Sequence, residues 1–166
     1  ISKVLITGDL STTSEKKEFL IAQRFIQQLE EGGLSVLLLP GNHDQYTKTT
    51  FLQKTYYHFF PSSFSSKPSS YDLKKDNLTT LHLGNNWSAI FLDTVIATPP
   101  FACYGLFSES LEKNLTQALE QMPEDHHVLI LNHFPLIYPE APKKGLKRSD
   151  ALCNLIKAFP QVKLYL

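Results

Sequence analysis

Three times in this chain a short apolar run stops at a polar cluster. Val4-Leu5-Ile6 runs into Gly8-Asp9-Leu10, Val36-Leu37-Leu38-Leu39 into Pro40-Gly41-Asn42-His43-Asp44, and Val128 to Leu131 into Asn132-His133-Phe134-Pro135. Short aliphatic runs bounded by turn formers read as strands of a buried sheet. Between the first two, Phe19, Ala22, Ile26 and Leu29 recur at helical intervals. Thr12 and Glu15 have the spacing of a capping box, and Gly32-Gly33 ends the helix. Strand, helix and strand in that order need a crossover, so the two strands are parallel. In parallel sheets, ligand-binding groups gather beyond the carboxyl ends of strands. Asp9 and Asn42 therefore share one sheet edge, and His133 joins them if its strand runs the same way.

The remaining elements fit an α/β fold. Residues 45–60 are rich in aromatic side chains, read as helical and as core packing, and 61–70 as a Ser/Pro-rich loop. Leu78 to Leu83 and Trp87 to Leu92 are predicted strands joined at Gly84-Asn85-Asn86. Ser108 caps a helix with the apolar face Leu111, Leu115, Ala118, Leu119 and Met122. Ser149 to Phe159 is a further helix, and a last strand starts at Val162. The length, 166 residues, suits a single domain over 1–166. Lys plus Arg number 16 and Asp plus Glu number 16, so no basic footprint points to nucleic acid. No apolar run approaches the roughly 20 residues that span a bilayer. Cys103 and Cys153 have no metal or redox spacing and fit a reducing, cytoplasmic compartment. Membrane association of the full-length protein is the second reading.

The three clusters offer carboxylate, amide oxygen and imidazole, a donor set that favours Mn, Fe, Zn, Co or Mg over metals that prefer thiolates. A glycine before Asp9 lets the backbone approach closely enough for its carboxylate to bridge two cations. Each residue also has an ordinary reading: Asp9 as a turn or cap, Asn42-His43 as a turn after Pro40-Gly41, His133 as a hydrogen-bonded core histidine. Their joint occurrence after three strands favours a site. The other histidines read as structural: His126-His127 as a solvated loop pair, His58 on a helix surface, His82 facing away from Leu81 and Leu83. Asp93, at a strand end, reads as structural, with support of the site as its second reading. Lys143, Lys144, Lys147 and Arg148 read as a solvated loop, or else as a rim attracting phosphate.

Gly-Asp, then Gly-Asn-His-Asp, then a strand-terminal His with a following Pro, in that order, resembles the calcineurin-like metallophosphoesterase superfamily. Phe91-Leu92-Asp93-Thr94 and Gly105-Leu106-Phe107-Ser108 are similar to the branch with cyclic-nucleotide phosphodiesterase-like and nucleotide-sugar pyrophosphatase-like members. The resemblance implies an αββα sandwich of two mixed sheets flanked by helices, incomplete at both ends. The chain lacks the opening D-x-H of that family at its place ahead of Gly8-Asp9, and the closing G-H-x-H after His133. It implies two divalent ions (Mn, Fe, Zn or Co) with a bridging hydroxide as nucleophile. Asp9 would bridge both ions, and Asn42 and His133 would bind the second. His43 would contact phosphate and assist the leaving group, and Asp44 would orient His43. Asn132 stands where many relatives have a second His and receives no metal. The implied substrate is a small phosphorylated molecule: a nucleotide, nucleotide-sugar or phosphodiester. A metal-free scaffold on the same fold is the alternative. With its first-ion ligands reduced to Asp9, the 166-residue chain alone is expected to hold metal poorly and turn over little.

Overall fold

The structure is a computed structural model that describes residues 3–61, 70–99, 102–137 and 144–166. Strands β1 (Lys3–Ile6) and β2 (Ser35–Leu38) pair in parallel, with Val4 opposite Val36 and Ile6 opposite Leu38. Helix α1 (Lys16–Glu31) is the crossover and buries Phe19, Ala22 and Ile26. Its N-cap is Glu15, not Thr12. The chain leaving Asp9 bends through Leu10, Thr12 and Thr13 before the helix starts, and the Glu18 carboxylate collects the N–H groups of Thr12, Thr13 and Glu15 at 3.2, 3.0 and 3.0 Å. Gly33, at φ +84°, turns the chain out of the helix.

The aromatic stretch is not one helix. It breaks into a 3-10 turn (His43–Gln45), α2 (Lys48–Leu52) and α3 (Tyr56–Phe59). Lys54 sits at φ +52°, which no continuous helix allows. The break turns Tyr56, Tyr57 and Phe60 inward, and the Phe19 ring stacks on Phe59 with centroids 5.0 Å apart. The core-packing reading of this stretch therefore holds. Residues 62–69, most of the Ser/Pro-rich loop, lie outside the described residues.

After α4 (Leu73–Asp76), β3 (Leu78–Gly84) and β4 (Trp87–Leu92) form an antiparallel hairpin. Asn85 and Asn86 both have positive φ, as a two-residue primed turn requires. Then come β5 (Cys103–Leu106), α5 (Glu109–Glu120), β6 (His127–Asn132), β7 (Lys144–Lys147), α6 (Ser149–Ala158) and β8 (Val162–Tyr165). Ser108 caps α5, its Oγ accepting from the Leu111 N–H at 3.2 Å. The strands form a four-stranded mixed sheet, β3-β4-β6-β8, and two parallel pairs, β1-β2 and β5-β7, among the described residues. β4 is parallel to β6, and β6 to β8.

The two inner strands of the four-stranded sheet, β4 and β6, are buried on both faces, which is why they read as nearly unbroken apolar runs. Ile90, Leu92, Val128 and Ile130 face Leu111, Leu115 and Leu152 of α5 and α6. Ala89, Phe91, Leu129 and Leu131 face Phe19, Leu37, Leu39 and Tyr56. The second interface fastens the β1-β2 pair to the large sheet without a shared backbone ladder among the described residues. Each fully buried Leu, Ile or Phe contributes about 1.5–3 kcal/mol, so these side chains dominate that junction.

The basic run is a strand rather than a loop. Leu146 turns inward on β7, and Lys147 Nζ lies 3.7 Å from the Tyr104 ring centroid. Arg148 donates to Glu112 at 2.6 Å and to the Phe107 carbonyl at 2.9 Å. Lys143 lies outside the described residues. Among those residues, no helix is long and apolar enough to cross a membrane.

Candidate metal centre

Two turns interlock at the carboxyl ends of β1 and β2. Gly8 has φ +107° and Asp9 φ +58°. A Cβ on Gly8 would overlap the backbone of Pro40 and Gly41; one on Gly41 would overlap Asp9 and lie 2.8 Å from His133 Cε1. Glycine at both positions lets the two backbones touch and brings a third turn, after β6, against them.

Asp9, Asn42 and His133 meet there. His133 Nδ1 is 2.7 Å from the Thr7 carbonyl, which can only accept, so Nδ1 carries the proton. In the neutral ring, Nε2 then presents a lone pair. Asn42 Oδ1 lies 3.0 Å from it and Asp9 Oδ1 3.5 Å. With the Asn42 oxygen turned inward, three lone-pair atoms face one another, an arrangement that a cation between them stabilises, either a proton on Nε2 or a metal ion; without a cation, the Asn42 amide would turn its N–H₂ to Nε2 instead. Donors about 2.0–2.2 Å from a divalent ion stand roughly 3 Å from each other, as these do. The trio thus fits part of the shell of one divalent ion. Among the described residues no three His, Cys, Asp or Glu side chains form such a group; the third donor here is the Asn42 amide. The side chains of Asp9 and His133 are 39% and 18% exposed, so the trio opens to solvent. A groove of about 410 Å³ runs from Asp9 along Thr12 to Ile21 and Phe25.

His43 stands in the same cluster. Its N–H donates to Asp9 Oδ1 at 3.0 Å, and its Nδ1 is 2.7 Å from the Thr12 carbonyl. Its ring stacks on Tyr46, centroids 5.4 Å apart at 17°. This corrects the role expected of Asp44. The Nδ1 proton of His43 goes to Thr12, and the Asp44 carboxylate is committed elsewhere. Its Oδ1 accepts from the Ser11 N–H at 2.8 Å and its Oδ2 from the Gly41 N–H at 2.9 Å. Asp44 is buried, and that burial pushes its carboxyl above the ordinary value, an effect these bonds only partly offset. Asp44 staples the Asp9 turn to the Asn42 turn and touches the imidazole of neither histidine in these bonds.

Asn132 is buried and hydrogen-bonded to protein on every side. Its Oδ1 accepts from Thr94 Oγ1 at 2.7 Å and from the His133 N–H at 2.9 Å; its Nδ2 donates to Tyr165 Oη at 2.8 Å. Asp93 is buried as well, and Tyr57 Oη donates to it at 2.6 Å. His58 and His82 are exposed on α3 and β3, and neither approaches the trio in any of these contacts. His127 is exposed, but His126 is half-buried against the His82 ring rather than solvated. The residues that sequence reading misses are Thr7, Thr12, Tyr46 and Gln45. The first two act through backbone carbonyls, which leave no trace in residue identity.

The family model of the calcineurin-like phosphoesterases matches residues 1–166. The chain is similar to the 3',5'-cyclic adenosine monophosphate phosphodiesterase CpdA of Escherichia coli (strain K12), and equally to that of Escherichia coli O157:H7. Identity is 25% over 167 residues in each case, covering 98% of this chain and 52% of the relative. The chain thus spans about half the length of the curated relatives it matches.

Proposed function

The chain belongs to the calcineurin-like phosphoesterase family, and from that premise we propose that its protein hydrolyses a small phosphodiester at a centre of two divalent ions. The observation that carries this reading is the facing of Asp9 Oδ1, Asn42 Oδ1 and His133 Nε2. Asn42 and His133 would hold one ion, and the Asp9 carboxylate would be shared with a second. When bound, the ions supply the Lewis acidity that stabilises phosphoryl oxygens and acidifies water. The Thr12 carbonyl accepts from Nδ1 of His43 and leaves Nε2 for the leaving oxygen; as the imidazolium, the ring would carry a second proton on Nε2 and donate it there. Tyr46 restricts the tilt of that ring. Asp44 keeps the two ligand turns together and so positions the site rather than acting in the reaction.

The relatives named for cyclic adenosine monophosphate support a cyclic nucleotide, or a phosphodiester of that size, as substrate. The groove beside Asp9 is of the size that takes a small molecule. The two unpaired thiols, Cys103 and Cys153, agree with a reducing compartment. The test is full-length protein assayed with Mn against a cyclic nucleotide, a chromogenic phosphodiester, a phosphomonoester and a nucleotide-sugar pyrophosphate. Diester turnover that a chelator abolishes and Mn restores is the expected result. Absence of both bound ions and turnover would favour a metal-free scaffold.

A further inference from the structure

Two adjacent side chains at the end of β4 reach both ligand turns. Asp93 Oδ2 accepts from Tyr57 Oη at 2.6 Å and from Gln45 Nε2 at 3.4 Å, and Oδ1 accepts from the Val95 N–H at 3.0 Å. Gln45 closes the 3-10 turn that begins at His43, and its own N–H bonds the Asn42 carbonyl at 3.4 Å. The next residue, Thr94, donates from Oγ1 to Asn132 Oδ1 at 2.7 Å, and the same oxygen accepts the His133 N–H at 2.9 Å. One arm therefore ends at Asn42 and the other at His133, the two ligands that approach to 3.0 Å.

Stability alone does not account for this cluster. Gln45, Asp93, Thr94 and Asn132 are each no more than 3% exposed. A buried carboxylate is a poor stabiliser compared with an apolar side chain of similar volume. Gln45 Oε1 is buried with no hydrogen-bond partner, a further cost of placing the amide there. The arms also span a gap in the backbone bonding: Asn42 follows the β1-β2 pair, His133 follows the four-stranded sheet, and no ladder joins the two among the described residues. Apolar packing fixes the two sheets face to face, but it is non-directional and does not set a polar spacing.

We infer that Asp93 and Thr94 are positioning residues that set the approach of Asn42 to His133, and with it the affinity and geometry of the ion they share. The inference rests on the metal-centre reading. Its test is Co(II) titration of the full-length protein, followed by visible absorption, whose bands report ligand geometry. The variants are Asp93→Asn, Thr94→Val and Thr94→Ser. In Asp93→Asn an amide N–H₂ meets groups that themselves donate; Thr94→Val keeps the shape and removes the hydroxyl. Each should weaken Co(II) binding about 10–100-fold and shift the bands, while Thr94→Ser should stay within about threefold of the parent. Unchanged affinity and bands in folded Asp93→Asn and Thr94→Val would overturn the inference and leave the metal centre standing. If Asp93→Asn does not fold, the Thr94 pair decides, because equal losses in Thr94→Ser and Thr94→Val would show that the hydroxyl is not the agent. A parent protein that takes up no Co(II) removes the metal centre and this inference together.

Discussion

At the carboxyl ends of β4 and β6 stand Asp93, Asn132 and His133; at their amino ends stand Asp125, His126 and His127, with His82 beside them on β3. Both ends are rich in metal-binding residue types. At the amino end the polar groups pair with neighbours or face solvent. The His82 and His126 rings stack with centroids 5.6 Å apart, His126 Nδ1 lies 3.2 Å from Ser88 Oγ, and Asp125 accepts from Asn86 Nδ2 at 3.0 Å. At the carboxyl end lone pairs face one another. The glycines explain the difference. Gly84, in the hairpin turn, has open space where a Cβ would go, so it serves backbone conformation alone. Gly8 and Gly41 have none, and serve close approach. Ligand types become a site only where turns are thin enough to bring separate segments together.

The hardest test of this contrast is Asp9→Asn in the full-length protein. The amide removes the charge that both ions would share, so turnover should fall by about 10³-fold or more, with circular dichroism and melting little changed. Near-normal turnover would break the contrast at its centre. Next, His43→Ala should lower kcat about 10²- to 10⁴-fold for poor leaving groups and less for activated esters, with bound ions retained. Equal losses for both ester classes would argue against a leaving-group role, and loss of an ion would make His43 a ligand.

At the other end, His126→Ala should leave ion stoichiometry and kcat within about twofold of the parent and cost at most about 1 kcal/mol of stability. An ion lost there, measured by metal analysis, would erase the distinction between the ends. The smallest expected effect is that of Glu18→Gln. The Glu15 amide first, then Thr13 and Thr12, hold the Glu18 carboxyl down from the ordinary 4.5 to about 2. Its folded value is depressed, so its contribution is present above pH 4.5 and lost as pH falls through about 2. Denaturant unfolding should separate variant from parent slightly at pH 6 and bring the two curves together near pH 2. Because Glu18 holds the Thr12 N–H and the Thr12 carbonyl holds His43, a small fall in kcat should accompany the change.

The β1-α1-β2 unit, the β3-β4 hairpin and the Ser108 cap are legible in residue order, because periodicity and turn chemistry are local. The convergence of Asp9, Asn42 and His133 is legible too, because strand ends in a parallel arrangement share an edge. Strands β5 and β7 are not. Each has a glycine inside it, Gly105 and Gly145, and glycine weakens a strand by propensity. Gly105 belongs there because a Cβ would collide with the Phe134 ring, a contact 29 positions along the chain that no local pattern announces. The hydrogen-bond partners of His43 are hidden for a related reason. An adjacent Asp44 is visible in the sequence, whereas the Thr12 carbonyl that binds the ring is a backbone atom every residue possesses.

The contact between Gly8 and Gly41 bears on how such a chain can diverge. Volume exclusion constrains these two positions, whereas ion binding would constrain Asp9, Asn42 and His133. A descendant released from selection for catalysis would still have to fold, so any side chain at 8 or 41 would be rejected as before. Its ligand positions would be free to drift to neutral replacements. Glycines retained beside scattered ligands would mark a lineage that kept the frame and abandoned the reaction. Glycines and ligands retained together would mark one still selected for turnover.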